Sequence, residues 1–71
     1  MLLRAEMRGT VNGKPVMEGI IEDSADLDGM EKDGYVMLNG SKVHTAQGSL
    51  MFCVADNSVW VKGSDGNWSS I

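Results

Sequence analysis

The chain has 71 residues, one cysteine, one histidine and ten acidic against six basic side chains, a formal net charge of −4. That length allows one small domain, and chains of this size bury only about 60% of their unfolded surface, so disulfides, a metal or association usually assist. With Cys53 and His44 alone of their kinds, an intramolecular disulfide and any multi-cysteine zinc motif are excluded, and the acidic balance argues against a nucleic-acid partner.

The start, "MLLRAEMRGT", reaches Arg4 too early for a signal peptide, and no run approaches the roughly 18 apolar residues of a membrane span. No membrane partner, no secretion by signal peptide and a soluble, reducing cell interior are therefore expected. On that reading the glycosylation patterns at Asn39 and Asn67 are incidental.

Asn-Gly or Asp-Gly pairs at 12–13, 28–29, 33–34, 39–40 and 65–66 punctuate short apolar runs, the spacing of a β meander. In the first hairpin, a three-residue loop Asn12-Gly13-Lys14 pairs Val11 with Pro15, Met7 with Gly19 and Ala5 with Ile21. It also sets Arg8 opposite Glu18 and Arg4 opposite Glu22. A two-residue loop would set Met7 opposite Glu18 and mix the faces. Residues 22–34, "EDSADLDGMEKDG", follow as an acidic, solvated loop with room for one helical turn. A two-residue Asn39-Gly40 turn then pairs Val36 with Val43, Tyr35 with His44 and Met37 with Lys42. In "SLMFCVADNSVWVKG", a turn at Asp56-Asn57 pairs Val54 with Val59 and Phe52 with Val61, a wholly apolar face expected to be core. The reverse carries Met51, Cys53, Trp60 and Lys62. A last turn brings Trp68 beside Val61, so that Trp68 faces the core and Trp60 faces away. The expected fold is all-β, a single domain of six to seven short antiparallel strands curled into a barrel or two-layer sandwich.

Reactive chemistry is sparse. Asp26 and Asp28 stand at calcium-loop spacing around Gly29, but Ser24 and Tyr35 occupy the positions where the first Asp and the bidentate Glu belong. Cys53, mid-strand in "MFCVA", reads as a buried thiol rather than a nucleophile served by His44. No carboxylate pair or phosphate loop is legible, so neither catalysis nor a cofactor or metal is expected. The outward face around Trp60, with Met51 and Lys62 beside it, is the candidate interaction site. Apolar area of that size asks for a covering partner, and homo-oligomerisation supplies one. A sugar- or peptide-binding role for an exposed tryptophan is the alternative.

Residues 7–19, "MRGTVNGKPVMEG", resemble the first hairpin of the green-fluorescent-protein-like family, but only there, since Tyr35 is followed by Val36 and no chromophore triad exists. Residues 48–71, "GSLMFCVADNSVWVKGSDGNWSSI", resemble the carboxy-terminal end of many short phage and prophage proteins. Phe52, Val54, Asp56, Val59, Trp60, Val61, Asp65, Gly66 and Trp68 carry the likeness. The resemblance implies a non-catalytic structural or protein-interaction module, self-associating or bound to virion components, in the host cytoplasm or on the virion.

Overall fold

The computed structural model describes residues 1–33, 35–36 and 42–71, with the side chains of 31–33, 35–36 and 42–43 left aside. In chain order the elements are β1 (Leu2–Val11), β2 (Lys14–Ile21), α1 (Asp26–Asp33), β3 (Tyr35–Val36), β4 (Lys42–Val43), β5 (Leu50–Cys53), β6 (Ser58–Lys62) and β7 (Trp68–Ser70). Strands dominate, as the all-β reading requires. β1-β2-β5-β6-β7 form one five-stranded sheet with β1 and β7 at its edges, and β3 pairs with β4 apart from it.

The sheet is mixed, which corrects the expected antiparallel meander: β2 and β5 run parallel, from Glu18 opposite Leu50 to Ile21 opposite Cys53. Parallel neighbours need a crossover of a dozen residues or more, and residues 22–49 provide it. The pairing runs on past the strand ends, with Val54 N donating to Ile21 O at 3.0 Å and Ala55 N to Glu22 O at 3.1 Å.

The first hairpin closes with a two-residue turn, not the expected three. Asn12 and Gly13 both take positive φ, 52° and 79°, the requirement of the primed turn that matches strand twist. Val11 faces Lys14 and Thr10 faces Pro15. A register shift between Met7 and Gly9 then sets Met7 opposite Met17, and another falls between Leu2 and Arg4. These irregularities repair the mixing of faces that a regular two-residue hairpin would cause. Gly19 is needed beside them, because a Cβ there would overlap the Arg4 carbonyl oxygen and lie 3.1 Å from the Ala5 Cα.

In the third hairpin Cys53 faces Ser58, Phe52 faces Val59 and Leu50 faces Val61, so the loop spans 54–57 and Val54 leaves the ladder. That is a two-residue slip from the expected register, which keeps every side chain on its face. Lys62 faces Trp68 and Val61 faces Ser69, so Trp68 shares the face of Lys62 and not that of Val61. For the second pair, Tyr35 faces Val43 and Val36 faces Lys42, one residue off the expected pairing. Its Asn39-Gly40 turn and the pairs through Met37 and Leu38 lie outside the described residues.

The larger correction concerns which face is inside. The core is Met17, Ile21, Leu27, Met30, Met51 and Cys53, with Leu2, Ala5, Trp60 and Trp68 packed against it. Met51 is 0% exposed while its neighbour Phe52 is 37% exposed. Residues 22–34, expected as a solvated loop, contain α1, and α1 decides the matter by laying Leu27 and Met30 on the Met51 side.

The helix starts where its N-terminal groups are satisfied. Asp23 Oδ1 accepts from Ala25 N at 2.9 Å, and Asp26 Oδ2 accepts from Asp23 N at 3.2 Å, the reciprocal logic of a capping box. Asp26 and Asp28 in the first turn also suit the helix dipole.

Candidate interaction site

On the side of the sheet opposite α1, alternate residues of four strands form one surface. Arg4 and Glu6 come from β1, Glu18 and Ile20 from β2, Leu50 and Phe52 from β5, and Val59 from β6. They line a groove of about 300 Å³ floored at Gly19. Register explains the continuity: Ile20 lies beside Phe52, and Phe52 beside Val59. Ile20, Leu50, Val59 and Val61 are half-buried and Phe52 is exposed. A sheet with one wetted face normally alternates apolar-in with polar-out. Here the outer face is apolar too.

One end of this surface is charged but internally balanced. Arg8 reaches Glu6 at 2.8 Å and Glu18 at 3.3 Å, and Arg4 hydrogen-bonds Glu6. That hydrogen bond, then the charges of Arg4 and Arg8, holds the Glu6 carboxyl below its ordinary value, and the same bond raises Arg4. All four groups are solvated, so the network sets charge pattern more than stability.

The residues singled out from sequence lie together on the opposite face, but within the fold. Met51 is fully buried. Lys62, 8% exposed, donates from Nζ to the Thr45 carbonyl at 2.9 Å and toward Thr45 Oγ1 at 3.3 Å. Trp60, expected to face away from the core, packs against it. Its Nε1 donates to Ser58 Oγ at 2.8 Å, and Ser58 Oγ in turn donates to Asp56 Oδ1 at 2.6 Å. That Ser58 hydroxyl is the main reason the Asp56 carboxyl lies below its usual value.

Trp60 and Trp68 line a second concavity of about 680 Å³ with Ser24, Ala25, Leu27, Asp28, Gly66 and Asn67. Sequence reasoning separated the two tryptophans because it put Trp68 opposite Val61. The signal that could have joined them is Gly66, whose positive φ of 84° sets the turn before β7 and, with it, the register.

Cys53 and His44 are not brought together. Cys53 sits beside Ile21 at one end of β2, with its Sγ 3.8 Å from Glu22 O. His44 is exposed and shares a hollow with Lys14 at the other end. Asp26 and Asp28 lie in the first turn of α1, where Asp26 pairs with the Met1 ammonium. Among the described residues no three His, Cys, Asp or Glu side chains are grouped to hold a metal ion, and no helix is long and apolar enough to cross a membrane. No protein-family model, curated protein or solved structure matches the chain.

Proposed function

We propose that this chain is a non-catalytic protein-interaction module of the kind phage and prophage structural proteins use, acting in the host cytoplasm or on a virion, and that it self-associates. The observation that carries the reading is the continuous apolar strip Ile20–Phe52–Val59, flanked by Leu50 and Val61, on the face that α1 leaves open. A second copy is the favoured occupant. Arg4, Glu6 and Glu18 line the groove and Arg8 pairs with both glutamates, so these four charges sum to zero and like faces can meet without repulsion. Two sheets apposed there at about 10 Å would complete the two-layer sandwich expected of the fold.

Sedimentation equilibrium tests this across micromolar concentrations. The wild-type chain should exceed its 7.7 kDa monomer mass, and Phe52→Asp should return it to monomer while leaving the circular dichroism spectrum unchanged. A wild-type monomer throughout, or a Phe52→Asp variant with unaltered mass, refutes the proposal.

A second reading rests on the Trp60–Trp68 concavity. Two half-buried indoles beside Asp28, Ser24 and Asn67 offer a stacking surface with polar groups at its border, the composition of a small-ligand site for a sugar or peptide. It predicts tryptophan fluorescence changes with a glycan or peptide panel that Asp28→Ala weakens. Silence across the panel removes it.

A further inference from the structure

At the end of the sheet away from Cys53, three elements bring their basic side chains to one hollow of about 290 Å³. Lys14 follows the Asn12-Gly13 turn, His44 follows β4, and Lys62 ends β6. Asn12, Gln47 and Ser64 add amide and hydroxyl groups, and among the described residues none that lines the hollow is acidic. Asp65, the nearest carboxylate in sequence, is turned into its own loop, accepting from Asn67 N at 3.0 Å and from Asn67 Nδ2 at 3.3 Å.

In a chain of net charge −4 this concentration stands out. Arg4 and Arg8 are engaged by Glu6 and Glu18 at the far side of the sheet. Lys62 is fixed in place by Thr45, whose carbonyl and hydroxyl hold its Nζ at the wall of the hollow. Lys14 and His44 are exposed and can close on a ligand from outside.

We infer that this hollow, walled by Lys14, His44 and Lys62, binds the phosphate group of a small phosphate monoester. A phosphate monoester carries close to two negative charges and three acceptor oxygens, which suits the exposed donors of Lys14 and His44, with Asn12, Gln47 and Ser64 beside them, better than a two-oxygen carboxylate does. Lysine serves such groups as a point charge. The volume leaves room beyond the phosphate for a small organic portion. The site is independent of the proposed self-association, because it shares no lining residue with the Phe52 face.

The test is a titration of amide chemical shifts in the full chain with inorganic phosphate and with phosphoserine, against sodium chloride at matched ionic strength and against acetate. Saturable shifts confined to Lys14, His44, Gln47 and Ser64 are expected for both phosphates. They should be lost in a Lys14→Gln, His44→Gln double variant, whose changes are at exposed positions, and kept in Phe52→Asp. Three results overturn the inference: shifts that follow ionic strength alone, equal saturation by acetate, or a double variant that titrates like the wild type.

Discussion

Met51 and Phe52 are adjacent on β5 and point to opposite sides of the sheet, so truncating each to alanine should fail in a different assay. Met51 is 0% exposed and surrounded by Met17, Ile21, Leu27, Met30 and Cys53. Met51→Ala removes Cγ, Sδ and Cε, which at about 0.8 kcal/mol per buried group withdraws about 2.4 kcal/mol of transfer free energy. The residual cavity brings the loss to about 3 kcal/mol, inside the usual range of about 2–5 for Met→Ala in a core. A domain of this length has about 4–11 kcal/mol in total at about 0.05–0.15 per residue, so the melting temperature should fall by about 12–24 °C. Phe52, 37% exposed on the open face, should cost the separated chain less than about 1 kcal/mol and should act on the assembly instead. Urea unfolding followed by tryptophan fluorescence at several protein concentrations distinguishes the two, because a dimer contact contributes to apparent stability only by mass action. A Phe52→Ala variant that loses as much as Met51→Ala at the lowest concentration would put the core on the wrong side of the sheet.

Three further changes probe single contacts. Gly19→Ala forces a Cβ into the Arg4 carbonyl oxygen, an overpacking of backbone on backbone that should cost about 1–3 kcal/mol; an unchanged urea midpoint would deny the close approach of β1 to β2. Ser49, fully buried, accepts from Met17 N at 3.0 Å and donates to Ala46 O at 2.7 Å, so Ser49→Ala should cost about 1–3 kcal/mol and speed hydrogen exchange at the Met17 amide above all. Unaltered protection of that amide contradicts the bond. Burial pushes the Asp26 carboxyl up, but the Met1 ammonium and the backbone N–H groups of Asp23 and Glu22 outweigh it and hold the group below its ordinary value. A carboxyl depressed in the folded state binds fewer protons there, so its stabilisation is present above the unfolded value and is lost as pH falls through the folded one. Asp26→Asn should therefore flatten the loss of stability on acidification, and equal acid limbs in the two proteins would refute the assignment.

Strand content and most strand positions are legible in the sequence, because alternation and Asn-Gly or Asp-Gly pairs are local signals. Register is not legible even at a strong turn signal. The Asn12-Gly13 pair takes the two positive φ angles of a two-residue turn, but the shift between Met7 and Gly9 that rescues the pattern leaves no mark of its own, so alternation favours a three-residue loop that does not form. Which face is buried was the least legible feature. Phe52, Val59 and Val61 are at least as apolar as Met51, Cys53 and Trp60, so alternation is symmetrical and cannot choose. The choice is made by a non-local event, the crossover that packs Leu27 and Met30 on one side. A hint lay in Asp23 and Asp26, three apart and just ahead of Leu27 and Met30, the spacing of a capped helix with an apolar stripe. The acidity of the segment hid it.

The same crossover sorts the charge. Residues 22–33 carry six acids against one lysine, more than the whole net charge of the chain, and they lie on the side that α1 covers. Arg4, Glu6, Arg8 and Glu18 on the open side cancel. Two copies meeting through the proposed face would therefore hold their acidic segments apart by both sheets and both helices. Each packed layer adds about 10 Å, whereas charges are screened over about 8 Å at physiological ionic strength. Acidity that would otherwise oppose self-association is thus set where it repels little. Association driven by Ile20, Leu50, Phe52 and Val59 should accordingly depend weakly on salt. A steep salt dependence would mean that charge pairing rather than the apolar strip holds the copies together.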